Sequence, residues 1–161
     1  MKSKKSKLIV DYDLDFDLWG FVSSYQEYRI AWYLNKQLNI CLSKEDDEVM
    51  EFEKGQRLII SHYIYRTSNK TYRLIKNQSF KFSKEECLNE KIVNHDESIR
   101  EVRQAFLLPE FKDFDYLLLL EDETGETDGD HVLNTLKEIP LIQFVMLINK
   151  DKVKSIHNLR F

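Results

Sequence analysis

The chain has 161 residues, a net charge of −4 and 32% charged residues, with 51 Leu, Ile, Val and Phe from which to build a core. That length suits one folded domain, and the apolar share exceeds the level at which a charged chain stays unfolded. Only four Gly and two Pro occur, so no glycine-rich phosphate loop, dinucleotide fingerprint or nucleophile elbow can be drawn, which excludes most nucleotide-dependent enzymes.

Residues 1–7, with Lys2, Lys4, Lys5 and Lys7, read as a basic flexible tail, and residues 8–161 as a single domain. From Tyr12 to Leu18 the pattern alternates. Tyr12, Leu14, Phe16 and Leu18 oppose Asp11, Asp13, Asp15 and Asp17, which predicts a strand with one acidic face. Tyr25 to Leu38 lacks Gly and Pro and predicts a helix capped by Ser23 or Ser24, with Glu27 completing a capping box. Its apolar residues fall into an aliphatic arc (Ile30, Ala31, Leu34, Leu38) and an aromatic arc (Tyr25, Tyr28, Trp32). One arc faces the sheet; the other adds to the core or meets a partner.

Three strands follow, Ile40 to Ser43, Arg57 to Arg66 and Thr71 to Asn77, the last two forming a hairpin whose short polar loop pairs Tyr65 with Tyr72 and Ile64 with Arg73. Residues of about 79–104 are mixed and charged. Helical spacing at Ile99, Val102 and Phe106 and a capping-box pattern at Ser83 to Glu86 predict a mobile insertion of short helices there. After Pro109 come a strand from Phe114 to Leu120, the acidic segment Glu121 to Asp130, a helix capped by Asp128 or Asp130, and a strand from Ile142 to Ile148. The order strand-helix-strands, then strand-helix-strand, implies an α+β fold: a mostly antiparallel sheet with two principal helices on one face.

Several blocks together resemble the IPExxxVDY family of bacterial proteins: Val10-Asp11-Tyr12-Asp13 with Trp19-Gly20, Tyr28-Arg29-Ile30-Ala31-Trp32 with Asn35, Leu107-Leu108-Pro109-Glu110 with Phe114-Asp115-Tyr116, and Ile139-Pro140 with Asn158-Leu159-Arg160-Phe161. The resemblance spans nearly the whole chain. It departs from the eponymous motif, which reads Ile139-Pro140-Leu141 and Val145-Met146-Leu147 here. It implies an intracellular role and brings no activity with it.

Cys41 and Cys87 are too few for a disulfide framework, and Leu8 to Val10 is too short for a signal-peptide core, so a cytoplasmic location is expected. The run from Phe114 to Leu120 is far short of the roughly 20 residues of a spanning helix, and no membrane partner is expected. Metal and cofactor sites find no support. The four His are scattered, the Asp11 to Asp17 ladder lacks the Gly-Thr pair of a phosphatase strand, and the acids of Glu121 to Asp130 do not follow calcium-loop spacing. No catalytic set stands out, and the reading leans away from an enzyme.

Charge segregation is the sharpest feature. Between Lys54 and Lys84 lie eight Lys or Arg and no Asp or Glu, while the remainder carries 16 basic and 28 acidic residues. Arg57, Arg66, Lys70, Arg73 and Lys76 interleave with Tyr63, Tyr65 and Tyr72, the combination that binds single-stranded RNA or another polyanion by phosphate contacts and base stacking. The expected function is thus a non-enzymatic binding protein using the 54–84 hairpin. The alternative is an adaptor that engages an acidic protein, such as acyl carrier protein, or forms a homodimer through Tyr25, Tyr28 and Trp32. The bland reading of the hairpin is a set of core tyrosines beside an edge guarded by lysine and arginine.

Overall fold

The computed structural model describes residues 16–51, 56–83 and 104–160. Its fold is α+β. Ten strands occur among these residues: β1 (Phe16–Val22), β2 (Ser43–Lys44), β3 (Glu48–Glu51), β4 (Gln56–Ile60), β5 (His62–Arg66), β6 (Lys70–Lys76), β7 (Gln78–Ser83), β8 (Gln104–Phe106), β9 (Tyr116–Asp122) and β10 (Phe144–Leu147). Helix α1 is Glu27–Leu38 and helix α2 is Gly129–Lys137. A six-stranded antiparallel sheet has the order β10-β1-β9-β6-β5-β2, and a four-stranded sheet the order β3-β4-β7-β8.

The centre of the large sheet is β9, whose residues Tyr116 to Leu120 are all buried. Four consecutive leucines fit a strand covered on both faces, since alternate side chains go to opposite sides. On one side Trp19, Phe21, Tyr72, Leu74, Tyr116, Leu118, Leu120 and Val145 pack with Ile30, Ala31 and Leu34 of α1 and Val132 and Leu136 of α2. On the other, Phe16, Leu18, Ile75, Leu117 and Leu119 pack with Leu58 and Ile60 of β4, Leu107, Leu108 and Phe114, and the C-terminal Val153 and Leu159. Both helices therefore share one face, and the small sheet and the chain end close the other.

The hairpin register agrees with the sequence reading, with Tyr65 opposite Tyr72 and Ile64 opposite Arg73. The hairpin continues past the expected strand ends. It breaks at Ser61 and Asn77, passing from β5 and β6 in the large sheet to β4 and β7 in the small one. Asn77 holds this bend. Its Nδ2 donates to the carbonyls of Phe111 and Phe114 at 3.0 and 2.9 Å, and its Oδ1 accepts from the Leu108 N–H at 2.9 Å. Its backbone N–H and carbonyl bond Asp115 and Leu107.

The expectation of helices from residue 79 onward is corrected at both ends of that stretch, where β7 pairs with β4 and with β8. Local capping cues there yield to long-range pairing; the segment 84–103 lies outside the described residues. The described part of the first strand, Phe16–Val22, overlaps the expected one at Phe16 to Leu18 and runs on to Val22. The Asp11 to Asp15 part of the acidic ladder lies outside the described residues, and from Leu18 to Phe21 the strand is buried. The Ser23 or Ser24 cap is also corrected. Helix α1 starts after Gln26, without a side-chain cap. The Ser23 hydroxyl donates instead to the Leu141 carbonyl at 2.7 Å, and its N–H donates to the Asp115 carboxylate at 2.9 Å. Asp128 caps α2 as read, accepting the Asp130 N–H at 3.0 Å. Strand β3 has no counterpart in the sequence reading.

Candidate functional site

The hairpin places its tyrosines and its cations in different surroundings. Tyr72 is buried against the helix side of the sheet, and Tyr63 and Tyr65 lie half-buried against the same core. The Tyr65 and Tyr72 rings are 6.3 Å apart, and Lys44 lies 5.9 Å from the Tyr63 ring. Burial raises the Tyr63 and Tyr72 phenols above their ordinary pKa.

Four of the cations meet carboxylates brought from three other elements and from the segment between β2 and β3. Arg57 pairs with Glu51 of β3 at 2.6 Å. Arg66 donates to Glu45 from both terminal guanidinium nitrogens, and this hydrogen bonding lowers the Glu45 carboxyl and raises the Arg66 guanidinium. Lys70 donates to Thr127 at 2.9 Å and lies 3.4 Å from Asp122 at the end of β9. Lys76 lies 3.8 Å from Glu27 at the start of α1. Arg73, half-buried on β6, faces the side of the sheet opposite Tyr72. Four of the eight basic residues between Lys54 and Lys84 are thus held in separate ion pairs.

Helix α1 sorts its two apolar arcs. Ile30, Ala31 and Leu34 are buried, whereas Tyr28 and Trp32 on the helix and Tyr25, just before its first turn, are 59%, 57% and 38% exposed. Two cations brace this aromatic row. Arg29 sits 4.8 Å from the Tyr25 ring centre, and Lys36 5.4 Å from that of Trp32. Trp32 meets Tyr33 edge to face at 4.9 Å. Tyr28, Arg29, Trp32 and Tyr33 line a recess of about 360 Å³. The charges that stand against the rings of this row are those of Arg29 and Lys36.

Arg29, Tyr33 and Lys36 escaped the sequence reading. Their signal was present, because Arg29 and Lys36 each follow an aromatic residue by four positions, one helical turn away.

The acidic segment after β9 forms a tied loop. Asp122 accepts hydrogen bonds from the N–H and hydroxyl groups of both Thr124 and Thr127. Burial opposes its charge, but these bonds outweigh that cost and hold the carboxyl well below the usual carboxylate range. Among the described residues no three His, Cys, Asp or Glu side chains converge as a metal site requires. Nor is any described helix long and apolar enough to cross a membrane.

Comparison of the chain with protein-family models, with curated proteins and with solved structures finds no match.

Proposed function

We propose that this chain is a protein-binding module whose working surface is the exposed aromatic face of α1, and that its partner presents an acidic segment with an apolar anchor. The observation that carries this is the row Tyr25, Tyr28 and Trp32, left exposed and braced by Arg29 and Lys36. Trp, Tyr and Arg dominate binding energy at protein interfaces because they bury large areas at little entropic cost. The recess beside Trp32 accepts an apolar side chain. Arg29 and Lys36 supply the charge complementarity.

Binding of RNA or another polyanion through Arg57, Tyr63, Tyr65, Arg66, Lys70, Tyr72, Arg73 and Lys76 ranks second. Each of Arg57, Arg66, Lys70 and Lys76 would first have to leave a carboxylate, and Tyr72 would have to leave the core to stack on a base. The kinship with IPExxxVDY proteins is likewise a proposal and adds no activity.

The test is a titration of the full chain with a Glu-rich peptide bearing one Phe or Leu, and separately with single-stranded oligouridine, followed by anisotropy of the labelled probe. Saturable peptide binding that weakens about thirtyfold in Trp32→Ala, a loss of roughly 2 kcal/mol, supports the reading. Peptide binding indifferent to Trp32→Ala, or none at all, overturns it. Salt-sensitive RNA binding that survives Trp32→Ala and disappears in Arg66→Glu would move the function to the hairpin.

A further inference from the structure

The two cations of α1 differ from those of the hairpin in what they meet. Arg57, Arg66, Lys70 and Lys76 each face a carboxylate. Arg29 and Lys36 are exposed and stand against the rings of Tyr25 and Trp32. Among the described residues neither shares an ion pair with a carboxylate. A cation over a ring keeps its charge, and its outer side stays open to an anion.

Their spacing carries information about that anion. Arg29 and Lys36 are seven residues apart in α1, which is two turns. They therefore stand about 10 Å apart along the axis and within about 20° of one line. Each leans four positions back, Arg29 to Tyr25 and Lys36 to Trp32, the direction in which helical side chains tilt. Because both lean the same way, the spacing of their charges is kept. Tyr28 lies between the two ring-cation pairs, and it lines the recess of about 360 Å³ together with Arg29, Trp32 and Tyr33. The Trp32 and Tyr33 rings stand at 86° to each other, so the recess is bordered by ring faces in two directions.

Along α1 the surface thus offers a charge, an apolar recess and a second charge. An extended partner does not match this order, since side chains on one face of a strand recur at about 7 and 13 Å. A helical partner does. Residues seven apart on a helix share a face at about 10 Å, and a residue three or four after the first lies midway on the same face.

We infer that the partner of α1 docks as an acidic amphipathic helix, with two carboxylates seven residues apart meeting Arg29 and Lys36 and an apolar residue midway between them entering the recess. This rests on α1 being the binding face and adds the conformation and register of what binds there. A helix laid along α1 also covers Tyr28 and Trp32 with its own apolar stripe.

Three labelled peptides of about 18 residues in an Ala- and Gln-rich background, titrated against the full chain by anisotropy, test this. The first carries two Glu seven positions apart, with Leu four after the first Glu. The second has the same composition, with both Glu moved two positions onward, away from the face that holds Leu. The third is the first with Pro beside Leu, which breaks its helix. The first is expected to bind about tenfold more tightly than either of the others. Arg29→Gln and Lys36→Gln should each weaken the first peptide about three- to fivefold and leave the second unchanged; since the two peptides carry equal charge, general electrostatic attraction would weaken both alike. Equal binding of all three peptides, still lost in Trp32→Ala, overturns the helical register and leaves the α1 face standing. A preference for the first peptide that survives both glutamine variants overturns the match of carboxylates to Arg29 and Lys36. Binding indifferent to Trp32→Ala, or none at all, overturns the α1 face and this inference with it.

Discussion

The ring of Phe114 lies against Gly20 so closely that a Cβ at Gly20 would come within 2.5 Å of Phe114 Cδ2. Gly20 is in mid-strand, paired with Leu117 of β9 and Met146 of β10. Phe114 has little room to retreat, since it is buried and packed near Phe111 and Phe144. Gly20→Ala should therefore destabilise the fold by about 1–3 kcal/mol through overpacking. Chemical denaturation measures the loss, and adding Phe114→Leu should recover part of it; an additive double variant would show that the ring is not the cause.

Asn77 is buried completely, and its amide satisfies three backbone groups where the hairpin crosses between sheets. Asn77→Ala takes the side-chain partner from the Leu108 N–H and the Phe114 carbonyl, and one of two partners from the Phe111 carbonyl. The expected cost is about 2–4 kcal/mol, read as a lowered denaturation midpoint with an unchanged slope. Asn77→Asp keeps the acceptor but loses both donated bonds, and it should be no better at neutral pH.

The lowered carboxyl of Asp122 makes the loop from Asp122 to Thr127 sensitive to acid in a defined direction. A group whose folded pKa is depressed contributes stability above its unfolded value, here 3.8, and that contribution fades as pH falls toward the folded value. Asp122→Asn should thus cost about 1–2 kcal/mol at pH 7. The gap between wild type and variant should shrink as pH is lowered below about 4, which thermal unfolding at a series of pH values would measure.

The two arcs of α1 should respond unequally to truncation. Leu34→Ala opens a cavity in the core and should cost about 2–5 kcal/mol. Trp32→Ala removes an exposed ring with its Tyr33 and Lys36 contacts and should cost less than about 1 kcal/mol. Thermal unfolding of the two variants side by side distinguishes a structural arc from a binding one.

Much of the local structure was legible along the chain. The four-residue loop after Arg66 sets the register of β5 and β6, because the turn length determines which residues face each other. Asp128 announces α2, since a short carboxylate before a helix satisfies an orphan N–H. The binding face of α1 was legible as an aromatic arc. Its exposure was not, because an arc of tyrosines and tryptophan is as fit for a core as for a partner.

The α+β order, the two helices and the hairpin register belong to the sequence itself, since apolar periodicity and turn chemistry act over a few residues. Tertiary structure decided what became of the charges. Glu27, Glu45, Glu51 and Asp122 lie from 6 to 52 residues away from the cations they meet, so no local pattern could show that four of the hairpin's cations are held in pairs. It also decided that Ser23 ties a strand end instead of capping a helix, and that β10 stands at an open edge among the described strands. The physical reason is common to all three. Hydrogen bonds, ion pairs and sheet edges depend on which distant segments meet, and only the packed chain determines that.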